Sequence, residues 1–193
     1  MRKIGIFGGS FDPVHEGHLH LAKLALDAAN LHEVWFLPCR ISPHKTANPP
    51  SSGKDRVKWL EIALQNIPWA KIEPIELETE GPSYSFKTIQ ELAGKHPLYE
   101  WFWIMGGDQW SALDRWKNPE IIGNHASFIV LARDGQEVEA REEYNYVVVN
   151  GEHPASSSAI RHALEEGEAD IPYLNPTVLS EMRGGEVKGS AGA

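Results

Sequence analysis

The sequence predicts an α/β protein with a Rossmann-like, doubly wound parallel sheet. Three observations predict this fold class: several short runs are almost entirely apolar, segments with helical spacing lie between them, and the first apolar run ends in two glycines. Nearly continuous apolar strands that alternate with helices indicate a parallel sheet covered on both faces. Sheets of this kind bind ligands beyond the carboxyl ends of their strands, so we expect the functional residues there.

The first element is a strand over residues 3–8, which stops at Gly8 and Gly9. Apolar residues from Leu19 to Ala29 then recur at helical spacing, which predicts a helix after the glycine turn. The same criteria predict further strands at 33–38, 99–105, 127–131 and 144–149, and further helices at 54–66, 85–95, 109–114 and 156–167. Residues 71–77 predict a weaker strand, which Pro74 places at an edge of the sheet because proline cannot donate to a strand ladder.

The chain has 193 residues, of which 1–183 are expected to form a single domain with a short C-terminal helical extension. A hydrophobic fraction of 41% supplies enough apolar side chain for a core. Residues 47–53 are rich in proline, serine and asparagine, and they predict a loop that borders the site. The sequence does not decide whether residues 46–53 close over that site. The glycine-rich residues 184–193 predict a disordered tail.

Charge and cysteine content exclude several classes of protein. Lys and Arg number 18 against 27 Asp and Glu, and the formal charge of −9 argues against a broad nucleic-acid-binding surface. The single cysteine, Cys39, cannot form an internal disulfide, so a cytoplasmic location is expected. Only residues 4–7 form an apolar run before the glycines, too few for a signal peptide or a membrane span, so no membrane is expected. The oligomeric state stays open, with a homo-oligomer compatible with the sequence.

The segment that runs from Gly8 to His18 carries the most chemistry. Two glycines let backbone N–H groups approach a phosphate, and the helix that follows adds the positive end of its dipole. The segment matches neither the dinucleotide pattern G-x-G-x-x-G nor the P-loop, so neither an NAD site nor a Walker-type ATPase is indicated. His15 and His18 are three residues apart and share one helix face, from which two imidazoles can donate to phosphate oxygens.

Two other interpretations of this histidine pair remain. A histidine near a helix start is often a cap or an ordinary packed side chain. The pair could also bind zinc, but the spacing differs from H-E-x-x-H and the sequence offers no obvious third ligand. Phosphate contact is the interpretation that the neighbouring glycines favour.

Residues 8–18 resemble the signature G-G-[ST]-F-D-P-x-H-x-G-H of bacterial nicotinate mononucleotide adenylyltransferases, which are nucleotidyltransferases with an H-x-G-H motif. The short H-x-G-H motif alone is shared by enzymes that use several acceptors, whereas the eleven-residue match is specific. Further matches lie along the whole chain. Residues 43–45 resemble the family segment P-H-[KR], and residues 82–85 resemble P-S-Y-[ST]. Gly107 and Asp108, with Leu113 and Trp116, resemble the family pattern G-x-D...L...W. Residues 155–161 resemble I-S-[SA]-[ST]-x-[IV]-R, with Ala155 in place of isoleucine.

The resemblance implies a role for each matching residue. The catalytic residues would be His15, His18 and Arg161. ATP and its phosphates would be bound by Gly8, Gly9, Ser10, Phe11, Gly107, Asp108, Ser156, Ser157, Ser158 and Ile160. Nicotinate mononucleotide would be bound by Lys45, Tyr84, Ser85, Trp116 and Lys117. Mg²⁺ would accompany ATP, held through phosphates and water without a direct protein ligand.

Many of these side chains also have an ordinary structural explanation. Such explanations are helix capping for Ser156 and Asp108, surface charge for Lys45 and Arg56, and packing for Tyr84 and Trp116. Three successive serines at a helix start with Arg161 one turn later nevertheless offer N–H groups, hydroxyls and a guanidinium to a pyrophosphate.

The function expected from the resemblance is ATP-dependent adenylyl transfer to nicotinate mononucleotide, which forms deamido-NAD and pyrophosphate in NAD biosynthesis. The partners would be these two small molecules. Adenylyl transfer to phosphopantetheine or another phosphate acceptor is the runner-up. A nucleotide-binding module without catalysis and a metal-dependent nucleotide hydrolase are alternatives from other classes.

Overall fold

A computed structural model describes residues 1–41, 49–133 and 135–187, with the backbone alone for 185–187. Within these residues six parallel strands form one sheet in the order β3-β2-β1-β4-β5-β6. This strand order confirms the predicted Rossmann-like fold class. The strands are β1 (Arg2–Gly9), β2 (Glu33–Pro38), β3 (Ala70–Ile72), β4 (Tyr99–Gly106), β5 (Ala126–Ala132) and β6 (Tyr146–Asn150).

Helices cover both faces of the sheet, as the apolar strands predict. The helices are α1 (Glu16–Ala28), α2 (Gly53–Leu64), α3 (Ile75–Glu78), α4 (Ser85–Lys95), α5 (Gly107–Ser111), α6 (Pro119–His125), α7 (Ser157–Glu165) and α8 (Pro176–Val187), with a 3-10 turn at Leu113–Arg115. One core layer joins the sheet to α1, α2, α7 and α8, and the other joins it to α3, α4, α5 and α6. None of the helices in the described part of the chain is long and apolar enough to cross a membrane.

The strand order reverses at β1, which pairs with β2 on one side and with β4 on the other. The connections on the two sides of this point run in opposite directions, and a crevice opens beyond the carboxyl ends of β1 and β4. The glycine turn after β1 and the start of α5 after β4 therefore border the same crevice.

The predictions for two segments need correction, and one helix was not predicted. The strand predicted over 71–77 is wrong from residue 73 onward: β3 ends at Ile72 and α3 begins after Pro74. The helix predicted at 109–114 is α5 followed by the 3-10 turn, and α6 was not predicted. α8 continues to Val187, past residue 184, where the predicted disordered tail begins. Residues 188–193 lie outside the described part.

Candidate active site

The turn after β1 forms one wall of the crevice. Gly8 and Gly9 end the strand, and Phe11 adopts a left-handed backbone conformation with a φ of 49°. The Phe11 ring is 1% exposed and packs against Phe7, Phe36 and His18. A Cβ on Gly9 would lie 3.0 Å from this buried ring, which is closer than an ordinary contact, so a side chain at this position would have to displace the ring.

The histidine pair is fixed at the start of α1. The backbone N–H of His15 donates to Nδ1 of His18 at 3.2 Å, and the two ring centroids lie 3.8 Å apart. Because Nδ1 of His18 accepts this hydrogen bond, the proton of the neutral ring resides on Nε2. His18 therefore keeps one N–H donor for a ligand.

Burial keeps both imidazoles neutral in the absence of ligand. Desolvation, with a smaller contribution from the nearby His153, lowers the pKa of His15 to about 4. Desolvation and the neighbouring His15 lower the pKa of His18 to about 3. At neutral pH the two rings consequently act as uncharged hydrogen-bond donors, and an anion that binds beside them raises both pKa values.

The absence of a side chain at Gly17, between the two histidines, has a steric explanation. A Cβ on Gly17 would lie 3.0 Å from Nδ1 of His15 and 3.2 Å from Nδ1 of His153. His153 itself was not identified from the sequence. Its Nδ1 accepts the backbone N–H of Ala155 at 3.2 Å, so it fixes the approach to α7 while its ring lies beside α1.

The second wall of the crevice is the start of α7. Ser156 caps this helix by accepting the N–H of Ala159, as predicted, and its own hydroxyl proton remains available. The hydroxyl of Ser157 donates to the carbonyl of Pro13 at 3.0 Å. This bond joins α7 to the turn after β1.

Arg161 makes a second connection between these walls. One guanidinium nitrogen donates to the carbonyl of Asp12 at 2.6 Å, and another donates to Oγ of Ser158 at 3.3 Å. These contacts use two of the five N–H donors of the guanidinium. The others stay available for an anion.

The two walls enclose a pocket of about 440 Å³, here called the phosphate pocket. Its lining brings together most of the predicted phosphate ligands: Ser10, Phe11, His15, His18, Ser156, Ser157, Ser158 and Arg161. Asp12 also lines it and was not predicted. Its side chain is 8% exposed, and Oδ1 is buried without a partner among the described residues.

A second cavity of about 360 Å³, here called the acceptor cavity, adjoins the first at Ser10. It brings together Gly8, Gly9, Tyr84, Ser85, Trp116 and Lys117, all of them predicted ligands. The Lys117 ammonium lies 5.0 Å from the centroid of the Tyr84 ring, and Trp116 packs edge-on against Trp103. The cavity thus has aromatic walls at one end and the glycine turn at the other.

Not every predicted residue reaches these two pockets. The side chain of Ile160 is 3% exposed in the core, and its N–H donates to the carbonyl of Ser156. Gly107 and Asp108 begin α5 beyond β4, where the side chain of Gln136 covers them: a Cβ on Gly107 would lie 2.6 Å from its amide. The predicted ligand Lys45 lies outside the described residues.

The sequence left the role of Arg56 undecided. In the structure this residue supports the site without lining either of the two pockets. It is 1% exposed and donates to the carbonyls of Ser10 at 2.7 Å and Ser51 at 2.9 Å. Its position therefore fits neither a surface charge nor a direct ligand. It holds the turn after β1 against the start of α2.

Comparisons with known proteins agree with this geometry. A family model described as cytidylyltransferase-like matches residues 6–163. The chain is 42% identical to a "Probable nicotinate-nucleotide adenylyltransferase" of Geobacillus kaustophilus, covering 91% of this chain and 81% of that protein. It is 40% identical to the nicotinate-nucleotide adenylyltransferase of Bacillus subtilis, covering 91% and 92%. The fold is shared with a Plasmodium falciparum nicotinic acid mononucleotide adenylyltransferase complexed with NaAD, at a TM-score of 0.73, 23% identity, and coverage of 99% and 97%.

Proposed function

The chain belongs to the nicotinate-nucleotide adenylyltransferases, and we propose that it transfers the adenylyl group of ATP to nicotinate mononucleotide. A phosphate oxygen of nicotinate mononucleotide attacks the α-phosphorus of ATP. The bond between the α-phosphorus and the bridging oxygen breaks, and pyrophosphate leaves with the electron pair. The products are deamido-NAD and pyrophosphate, and we assign the activity to one domain over residues 1–183.

The observation that carries this proposal is the arrangement of the two pockets. The phosphate pocket and the acceptor cavity share Ser10 and lie side by side at the switch point of the sheet. A triphosphate in the first and a mononucleotide in the second would meet at the glycine turn. Direct transfer between two anionic reactants depends mainly on such alignment and on stabilisation of developing charge.

Protein groups around the phosphate pocket fit the charge stabilisation. Nε2 of His18 can donate a hydrogen bond to an oxygen of the reacting phosphate, with its orientation set by the N–H of His15. The N–H groups of Arg161 that make no contact with Asp12 or Ser158 can hold the departing pyrophosphate, together with the serine hydroxyls at the start of α7. No covalent enzyme intermediate is required.

The acceptor cavity fits a pyridine ring that bears an acid group. Trp116 and Tyr84 supply flat apolar surfaces for the ring. Ser85 is the first residue of α4, so its N–H has no acceptor within the helix and can donate to a carboxylate. We assign the N–H of Lys117 to the same group and keep Lys45 as a proposed contact of the mononucleotide.

Mg²⁺ is the proposed companion of ATP. Across the described ranges, no three His, Cys, Asp or Glu side chains are grouped so that they could hold a metal ion. The ion would be held by phosphate oxygens and water. It would neutralise charge on the phosphates. We also propose the cytoplasm as the location.

Pyrophosphate release from ATP tests the proposal when nicotinate mononucleotide, nicotinamide mononucleotide and phosphopantetheine are added separately. We expect rapid release with nicotinate mononucleotide, together with deamido-NAD as the second product. Release with phosphopantetheine alone would favour the runner-up activity. Phosphate release from ATP without any acceptor would indicate a hydrolase, and binding of ATP without turnover would indicate a nucleotide-binding module.

A further inference from the structure

Glu76 is a buried carboxylate in the acceptor cavity, and the chemistry described above does not use it. It lies on α3, its side chain is 5% exposed, and it lines the cavity beside Tyr84 and Ser85. Burial of a carboxylate is unfavourable unless hydrogen bonds compensate for the lost water. Its partners therefore indicate what it contributes.

Two hydroxyl side chains act on this carboxylate. Oγ1 of Thr88 donates to Oε1 at 2.7 Å, and the Ser83 side chain is the second polar group that favours the charged form. Burial raises the pKa of Glu76, and these two side chains reduce that rise without cancelling it. The carboxylate thus interacts with two hydroxyl residues that come from different turns of the chain.

Thr88 and Ser83 flank the two residues, Tyr84 and Ser85, that are proposed to contact the acceptor. Ser83 stands directly before Tyr84, and Thr88 lies on the first turn of α4, after Ser85. Ser83 is also held on its other side: its Oγ accepts the N–H of Arg40 at 3.0 Å, and its N–H donates to the carbonyl of Ile41 at 3.1 Å. The carboxylate consequently holds the α4 side of the turn that presents the Tyr84 ring and the Ser85 N–H through Thr88, and it interacts with Ser83 on the other side.

We propose that Glu76 is a positioning residue of the acceptor cavity, which holds the Tyr84–Ser85 turn in the geometry that distinguishes an acid acceptor from an amide. The inference rests on the proposed function, because it assigns the discrimination to the same cavity. A small displacement of a positioned donor is enough to weaken its contact strongly. Loss of the carboxylate therefore affects acceptor binding far more than ATP binding.

The experiment measures kcat and both KM values for the wild type and four variants: E76A, E76Q, S83A and E78Q. Glu78 lies on the same short helix but is exposed, so E78Q removes an equal charge without touching the turn. We expect E76A to raise the KM of nicotinate mononucleotide by about tenfold or more, the loss expected when hydrogen bonds to a buried charge are removed. The KM of ATP should change by less than about twofold, because the phosphate pocket does not depend on this turn.

The variants should differ in the size of the increase in the KM of nicotinate mononucleotide. E76Q keeps the shape and one acceptor oxygen and should fall between E76A and the wild type, S83A should show a smaller change of the same kind, and E78Q should show none. The ratio of kcat/KM for nicotinate over nicotinamide mononucleotide should fall in E76A, because the Ser85 N–H moves. An unchanged acceptor KM in E76A, an unchanged ratio, or a parallel rise of both KM values overturns the proposal.

Two safeguards separate this inference from the function on which it rests. Activity of the wild-type enzyme with nicotinate mononucleotide is measured first, so a failure there rejects the proposed function and not the role of Glu76. If E76A does not fold, S83A decides, since Ser83 is only partly buried. A normal acceptor KM and a normal acid-to-amide ratio in folded S83A then overturn the proposal.

Discussion

Two sets of buried polar side chains, one at the amino ends of the parallel strands (here the amino edge) and one at their carboxyl ends (here the carboxyl edge), differ in how they are paired. At the amino edge, Glu33 is 5% exposed, and its carboxylate accepts hydrogen bonds from Trp35 and Lys71 at 2.9 Å and pairs with Arg2. Burial alone would raise the pKa of Glu33, but these partners hold it below its ordinary value. The Glu33 carboxylate is fully paired, so it contributes to stability and has no free hydrogen-bonding capacity for a ligand.

The carboxyl edge retains polar groups whose hydrogen-bonding capacity is not used. His15 and His18 are forced to be neutral, and within the described residues Oδ1 of Asp12 and Nδ1 of His15 are buried without a partner. Each such group costs stability in the free protein. The difference teaches that this edge is organised for a ligand, and substitutions at the two edges should separate activity from stability.

The largest effect is expected for His18→Ala. If the Nε2–H contact strengthens in the transition state, its removal should lower kcat by about a hundredfold or more while ATP affinity stays within about tenfold. Initial rates and ATP binding by calorimetry measure the two quantities. His20→Ala on the exposed side of the same helix serves as the control. A variant that keeps more than about half of the wild-type kcat would remove His18 from the mechanism.

A smaller loss is expected for Arg161→Ala. The guanidinium is proposed to hold the pyrophosphate, so kcat/KM for ATP should fall by roughly ten- to a hundredfold, the effect of one charge-assisted contact. Thermal stability should change little because the side chain is exposed. Arg183→Ala, which also removes an arginine bonded to backbone carbonyls but on α8, should leave the kinetics unchanged. Unfolding of R161A with normal kinetics in its folded fraction would instead make Arg161 structural.

Trp116→Ala should raise the KM of nicotinate mononucleotide by about tenfold through loss of ring contact. The KM of ATP should stay unchanged, since Trp116 lines only the acceptor cavity. Trp116→Phe keeps a flat ring and should recover most of the affinity. Equal losses for the two substrates would contradict a dedicated acceptor cavity.

The free energy of unfolding should depend on pH because of the two histidines at the carboxyl edge. In the unfolded chain both histidines titrate near 6.5, whereas in the folded ligand-free protein the pKa values of His15 and His18 are about 4 and about 3. At pH values between the folded and the unfolded pKa, the unfolded state binds more protons than the folded state. The free energy of unfolding therefore falls as the pH drops below about 6.5. Urea unfolding of the wild type and of a double variant, His15→Asn with His18→Asn, measures this at several pH values. An equally steep decline in the double variant would place the effect elsewhere.

The smallest effect is expected at the amino edge. Glu33→Gln removes the charge that pairs with Arg2 and Lys71, whose side chains are about half exposed, and should lower the free energy of unfolding by about 1 kcal/mol. The kinetic constants should be those of the wild type. A loss of activity without a loss of stability would contradict the division between the two edges.

Much of the fold and part of the site could be predicted from the sequence because their signals are local. The strands are continuous apolar runs, and the segment from Gly8 to His18 is contiguous, so its turn and histidine pair can be recognised without a structure. The helix cap at Ser156 is equally local. The end of β3 was missed because the proline at position 74 was expected only to move a strand to an edge, whereas the chain turns into α3.

Residues that support the site from a distance could not be predicted. His153 contacts α1 only after the sheet has brought the end of β6 beside it, and nothing near it in the sequence marks that contact. In the sequence, Arg56 resembles an isolated surface charge. In the structure it is buried and donates to the carbonyls of Ser10 and Ser51. Glu76 was predicted to lie in a strand. Its interaction with the Tyr84–Ser85 turn depends on α3, a helix that the sequence pattern did not indicate.

The most direct test of the central claim is kcat/KM for nicotinate mononucleotide and for its amide, measured side by side with saturating ATP. The two acceptors differ only in a carboxylate or carboxamide on the ring, and the backbone donors proposed for the cavity favour the carboxylate. Two charge-assisted hydrogen bonds support a preference of about a hundredfold or more for the acid. That preference is the predicted result, and equal values for the two acceptors would contradict the assignment of the acceptor cavity.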